Sequence, residues 1–253
     1  MLPFEDATTL SLTYHLNSEP WLNAAAYDAP VYEVEAKSFP GAAAVALPPP
    51  HDSALRRLLL ARGSCRKFAA RPLALAELAT LLADAYGIAR HHGALHDGTF
   101  CQMRTAPSAG GLFPLELYVM TQNVEGLPDG VHHYDVRAHA LTAVDPGAAL
   151  PTIEPFMLTY PFLANVNVIV FLAAVFRRSQ KKYGPRGYRY ILLEAGHVAQ
   201  SLCLCATERG LGSLCMGGFR DARLNRWLGL DGITEGVVYS VAIGHPAGGD
   251  GGA

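Results

Sequence analysis

"NVNVIVFLAAV", Asn165 to Val175, is the stretch on which the fold turns. A nearly continuous apolar run of this length predicts a central strand buried on both faces. Extended to Phe176 it remains too short to cross a bilayer, and it runs into Arg177-Arg178. Downstream, "YRYILLEAGHVAQSLCLCATER" predicts one long helix from about Arg189 to Arg209, stopped by Gly210. "GSLCMGGF" then reads as a short strand entering a glycine turn, "ARLNRWLGL" as a short helix and "GVVYSVAIGH" as a last strand. Upstream, "LELYVMT", "GVHHYDV" and "HALTAV" are strand candidates whose turn signals suit an antiparallel meander. Helices, a meander and buried strands in this order predict an α+β fold.

The N-terminal half is read in the same way. A helix is expected from Ser53 through "ALRRLLLAR", capped by Ser53 or Asp52. A second, "LALAELATLLADAYG", carries Leu75, Leu78, Leu81 and Leu82 at helical spacing. Residues 1–50 read as an irregular extension that packs on the domain and ends in "LPPP", leaving 51–253 as the main domain. "HHGALHDGTFCQMRTAPSAGGLFP", His91 to Pro114, reads as one long polar loop, of a kind that is often functional.

The chain has 253 residues, is 50% hydrophobic and 17% charged, and carries a formal net charge of -2. That suits a globular domain and leaves no basic block for nucleic acid. The N-terminus "MLPFEDATTLSL" has an acidic pair where a signal peptide would be basic, so the expected location is cytoplasmic. Five cysteines, with no CxxC among them, argue against a disulfide framework or a metal site.

Four stretches could carry chemistry. In "RGSCRKF", Arg62, Ser64 and Arg66 alternate, so in extended chain they project to one side as a phosphate clamp. A solvated basic loop is the plainer reading of that stretch alone. In "APSAGGLFPLELYV", Ser108, Gly110 and Gly111 allow close backbone approach to a flat ligand, or simply make a turn. Gly217-Gly218, after a strand, offers backbone N–H groups but is no dinucleotide fingerprint. Lys182-Tyr183 reads by itself as a solvated helix entrance. In a pocket, a desolvated lysine could accept a proton and the tyrosine relay it.

In order and spacing, these stretches resemble one family. "TYHLNSE", "LPPP", "RGSCRKF", "PSAGGLFPLELYV", "KYGPRGYRYILLEAGHVAQSL", "GLGSLCMGGF" and "VAIGHP" are similar to motifs of the flavin-dependent thiazoline/oxazoline dehydrogenases of the nitroreductase superfamily. That group includes the streptolysin-S-type and microcin-B17-type azole-forming oxidases. The resemblance implies an FMN-binding α+β sandwich with an antiparallel-rich central sheet, two intertwined protomers, and flavin at their interface.

Carried over by position, Arg62 and Ser64 would reach phosphate or ribityl oxygens and Arg66 the N1/O2 edge of the ring. Pro107, Ser108, Gly110 and Leu112 would meet FMN from the other protomer. Gly217 and Gly218 would face the N5/O4 side. Lys182 and Tyr183 match the pair implicated in proton abstraction. Two departures stand out. Arg62 is followed by Gly63 where the family often pairs arginines, and the tail "HPAGGDGGA" has no basic side chain.

The implied activity is oxidation of thiazolines or oxazolines in a peptide substrate, with oxygen as electron acceptor. A homodimer and a complex with a cyclodehydratase are the implied partners. An NAD(P)H-dependent nitro- or quinone reductase, or a non-catalytic scaffold docking a cyclodehydratase, are the alternatives on the same chain.

Overall fold

A computed structural model describes residues 4–19, 36–94 and 100–248. In chain order the helices are α1 (Phe4–Asn17), α2 (Ala54–Ala61), α3 (Leu75–Tyr86), α4 (Phe176–Tyr183), α5 (Arg186–Glu208) and α6 (Asp221–Trp227). The strands are β1 (Leu73–Ala74), β2 (Ile88–Ala94), β3 (Phe100–Arg104), β4 (Leu115–Thr121) and β5 (Val124–Glu125). They continue with β6 (Gly130–Asp135), β7 (Ala140–Pro146), β8 (Val168–Val175), β9 (Gly212–Met216) and β10 (Glu235–Gly244).

β8 holds the middle of a six-stranded sheet ordered β7-β6-β4-β8-β10-β9, with every neighbouring pair antiparallel. Its side chains alternate between two cores. Val168, Val170, Leu172 and Ala174 join the core under α3 and α5. Ile169, Phe171 and Ala173 join the core on the opposite face, with Met157, Leu224 and Trp227. Two buried faces explain why the strand is apolar throughout rather than alternating. The expected α+β architecture, a sheet flanked by helices, is the one observed.

α5 lies along one face through Ile191, Ala195, Val198, Ala199 and Leu202, the inward stripe of a helical repeat. α2 begins where expected: Ser53 is the N-cap, its hydroxyl accepting from Arg56 N at 3.1 Å. No helix among the described residues is long and apolar enough to cross a membrane.

Three expectations need correction. Residues 4–17, read as part of an irregular extension packing on the domain, form a helix, α1: His15 Nδ1 lies 3.0 Å from Tyr188 Oη, and Gln180 donates to Ser11 Oγ at 2.9 Å. Of the segment 91–114 read as one loop, residues 91–94 and 100–104 belong to the antiparallel pair β2–β3, and residues 95–99 lie outside the described residues. Lys182 and Tyr183 stand at the end of a helix of their own, α4, and not at the entrance of the long one.

Candidate active site

α4 leaves the end of β8 and is stopped by Gly184, whose φ of 56° and ψ of -144° few side chains tolerate. α5 then starts hard against it. A Cβ on Gly187 would lie 2.8 Å from Gln180 N, so a larger residue would push the two helices apart. The other side of α4 is tied to β4. Arg178 pairs with Glu116 at 2.6 Å and donates to the Phe113 carbonyl at 3.2 Å. His133 reaches the second Glu116 oxygen at 2.8 Å. Burial alone would raise the Glu116 carboxyl, but hydrogen bonds from His133 and Arg178 hold it below its usual range.

These ties bring Lys182 and Tyr183 against the loop before β4. A methyl group on Gly110 would fall 2.6 Å from Tyr183 Oη and 2.8 Å from Lys182 Nζ. Gly110 has φ +66°, so both its conformation and its surroundings call for glycine. The Lys182 ammonium sits 5.3 Å from the centre of the Tyr183 ring, and Tyr190 packs edge-on against that ring at 5.0 Å. Lys182 is exposed and Tyr183 half-buried.

The same loop is anchored from beneath by a buried polar network that sequence reading missed. Ser108 Oγ accepts from Phe113 N at 2.9 Å and its hydroxyl also bonds Glu194. Tyr86 donates to Glu194 Oε1 at 2.7 Å. The Arg104 guanidinium stacks on Tyr86 at 4.2 Å and Phe113 at 5.0 Å. Burial raises the Glu194 carboxyl, and the bonds from Ser108 and Tyr86 only partly offset this. One signal was present: Glu194 is the charged residue on the buried stripe of α5. Ser108 Oγ thereby holds the loop against β4.

Arg62, Ser64 and Arg66 lie elsewhere, beside β9. Ser64 bridges Ser213, and Cys65 N donates to Ser213 O at 2.8 Å. Cys65 points inward while Ser64 and Arg66 are exposed and Arg62 half-exposed. Neither arginine has a carboxylate partner among the described residues. Gly217 is exposed at the end of β9, and the Gly218 carbonyl accepts from Leu158 N at 3.0 Å.

Strand register shows what converges. Leu115 pairs with Ala174, Val175 with Glu235, and Met216 with Ser240. The start of β4 and the exit of β8 therefore share one end of the sheet, whereas β9 leaves at the level of Phe171, in the middle of β8. Pro107, Ser108, Gly110 and Leu112 stand at that end, with Lys182 and Tyr183, while Gly217 and Gly218 follow β9 beside Tyr239. No hydrogen bond, ion pair or ring contact joins the Arg62–Arg66 segment to the 107–112 loop among the described residues.

Residues 59–245 match the model of the Nitroreductase family. The chain belongs to the nitroreductase family, a family of oxidoreductases whose members typically bind flavin. MJ1384 of Methanocaldococcus jannaschii, assigned as a nitroreductase, is 33% identical over 73% of this chain and 88% of its own length. The Escherichia coli microcin B17-processing protein McbC is 31% identical over 52% of this chain and 50% of its length. The E. coli microcin synthetase McbBCD complex, solved with truncated pro-MccB17 bound, contains a chain of the same fold. That chain has a TM-score of 0.73, 21% identity and coverage of 96% of this chain and 94% of its own. Membership in the nitroreductase family does not by itself choose a substrate.

Proposed function

We propose that this chain is an FMN-dependent dehydrogenase that oxidises thiazolines or oxazolines in peptides to the aromatic azoles, acting as a homodimer with oxygen as final electron acceptor. The observation that carries the reading is the meeting of Lys182 and Tyr183 with the backbone of Gly110 at the end of the sheet where β4 begins and β8 leaves. The relationship to McbC, a microcin B17-processing protein, supports a peptide substrate. A cyclodehydratase complex is the partner that such a substrate calls for.

The residues fit FMN. Arg62 and Arg66 have no carboxylate partner among the described residues and are suited to phosphate oxygens and to the electron-rich edge of a ring. Pro107 and Gly110 are exposed on their loop with little side-chain bulk, Leu112 adds a half-buried apolar group, and Gly217 is exposed after β9. When bound, FMN supplies a two-electron acceptor for the dehydrogenation. Lys182 is the group placed to take the proton from the ring carbon next to the carbonyl, and the Tyr183 hydroxyl orients or relays it. Gly110, lacking a side chain, leaves room for both groups. Lys182 is exposed in a single chain, so substrate and a second protomer supply the cover that excludes water. α2 fits a second copy: it has no buried residue and exposes Leu55, Leu59 and Leu60.

A Lys182→Ala variant tests the assignment. It should keep the flavin spectrum and lose about 100-fold or more in azole formation, followed as loss of two hydrogens from an azoline peptide. An unchanged rate would remove Lys182 as the base. The similarity to MJ1384 favours a second reading, an NAD(P)H-dependent nitro- or quinone reductase. Rapid anaerobic bleaching of the flavin by NADPH, with no azoline oxidation, would select it.

A further inference from the structure

On the α5 face of the sheet two thiols are held almost in bonding contact. Cys203 Sγ on α5 and Cys215 Sγ on β9 are 3.4 Å apart. Cys203 is buried and Cys215 exposed. Neither belongs to the proton-handling group described above. Two residues beyond Cys215 the chain reaches Gly217.

We propose that Cys203 and Cys215 form a redox-active dithiol, which a peroxide oxidises to an intramolecular disulfide. Both sulfurs ride on regular elements packed on each other, so they stay close without any loop having to close. A disulfide needs about 2 Å between sulfurs, so the remaining gap is roughly 1.4 Å, small enough for modest side-chain rotation.

The surroundings assign the two roles. The Cys203 thiol hydrogen-bonds Cys215, Tyr239 adds another bond, and the Arg62 charge lies nearby; together they hold Cys215 down to about 7. The bond to Cys215 and burial push Cys203 well up. Cys215 is thus the exposed nucleophile and Cys203 the buried resolving thiol. The Cys215 thiolate attacks one peroxide oxygen, the O–O bond breaks, and with one proton the products are a sulfenic acid and water. Cys203 then attacks the sulfenic sulfur, the S–S bond forms, and a second water leaves. The peroxide gains two electrons and the two thiols lose them. The pair stands without the flavin reading, which adds only a local source of peroxide.

Two other cysteines serve as internal controls. Cys65 is buried and donates to the Lys67 carbonyl at 3.2 Å, and burial raises Cys205. The 253-residue chain is treated with equimolar hydrogen peroxide and mapped by peptide mass spectrometry. The expected result is a Cys203–Cys215 cross-link with loss of two free thiols per chain, reversed by dithiothreitol. Cys215→Ser, at the exposed position, should slow peroxide consumption by about tenfold or more. Cys203→Ala should leave Cys215 as a sulfenic acid that dimedone traps. Absence of the cross-link in the wild-type chain, or equally fast oxidation of Cys65 and Cys205, would overturn the proposal.

Discussion

The loop before β4 and the edge along β9 carry the same kinds of side chain but use them differently. Around the loop, Glu116 takes Arg178 and His133, Glu194 takes Tyr86 and Ser108, and Arg104 stacks on two rings. Most of that polarity is spent inside the chain. Along β9, Arg62 and Arg66 have no acidic partner among the described residues, and Cys215 and Gly217 face outward. One region is a frame that fixes geometry; the other has the character of a surface awaiting an anion. Charge that is paired within a chain mainly supports the fold, whereas charge left unpaired at a surface is available to a ligand.

That contrast breaks most visibly if both arginines are removed. Arg62→Ala together with Arg66→Ala should weaken FMN binding by at least about 100-fold, since charge-assisted hydrogen bonds contribute about 1.5–3 kcal/mol each. The stability of the flavin-free chain should move by only about 0.5 kcal/mol, because the side chains are partly or wholly exposed. Flavin titration and urea unfolding of the same preparation check both halves. Unchanged affinity would detach the β9 edge from the cofactor; a large loss of stability would make it frame as well.

Glu194→Leu should behave in the opposite sense. It strands the Tyr86 hydroxyl and Ser108, and unsatisfied buried donors cost about 1–3 kcal/mol each. The expected loss is about 3 kcal/mol in urea unfolding of the flavin-free chain, with Glu194→Gln recovering much of it by keeping an acceptor. If the leucine variant were as stable as the wild type, the network would not be anchoring the loop.

The frame was the less legible of the two regions. The strands 115–121, 168–175 and 235–244 and the long α5 carry strong apolar patterns and lie close to where the sequence placed them. α4 escaped notice because "FRRSQKKY" buries only Phe176 and Ser179, too little for a helical stripe. α1 is similarly weak in pattern, and the β2–β3 hairpin is glycine- and histidine-rich rather than alternating. The Tyr86–Glu194 bond joins residues 108 apart in sequence, and no local pattern encodes such a contact. By contrast the β9 edge was readable as chemistry, since alternating Arg62, Ser64 and Arg66 need only an extended chain. Motifs that face a ligand can be read in one dimension; the frame that aims them is a product of packing.

The smallest effect concerns how firmly α4 is held, and it should depend on pH in a way that the β9 edge cannot imitate. The hydrogen bond to Glu116 raises His133 above 6.5, with burial opposing. A raised imidazole stabilises the fold fully below its unfolded value near 6.5, and that contribution fades as pH rises through the higher folded value. Glu116 is held below 4.5, so its contribution is present above the unfolded value and fades as pH falls through the lower folded one. Both terms are therefore complete only between about pH 4.5 and 6.5. His133→Gln should lower stability by on the order of 0.5 kcal/mol near pH 5.5, since half-exposed pairs are weakened by solvent. The difference from the wild type should shrink by pH 8.5, where both proteins carry a neutral side chain at that position. Urea midpoints at the two pH values measure it. A difference that stays flat with pH would mean that Arg178 alone fixes α4 to β4, and that His133 is a bystander in aiming Lys182.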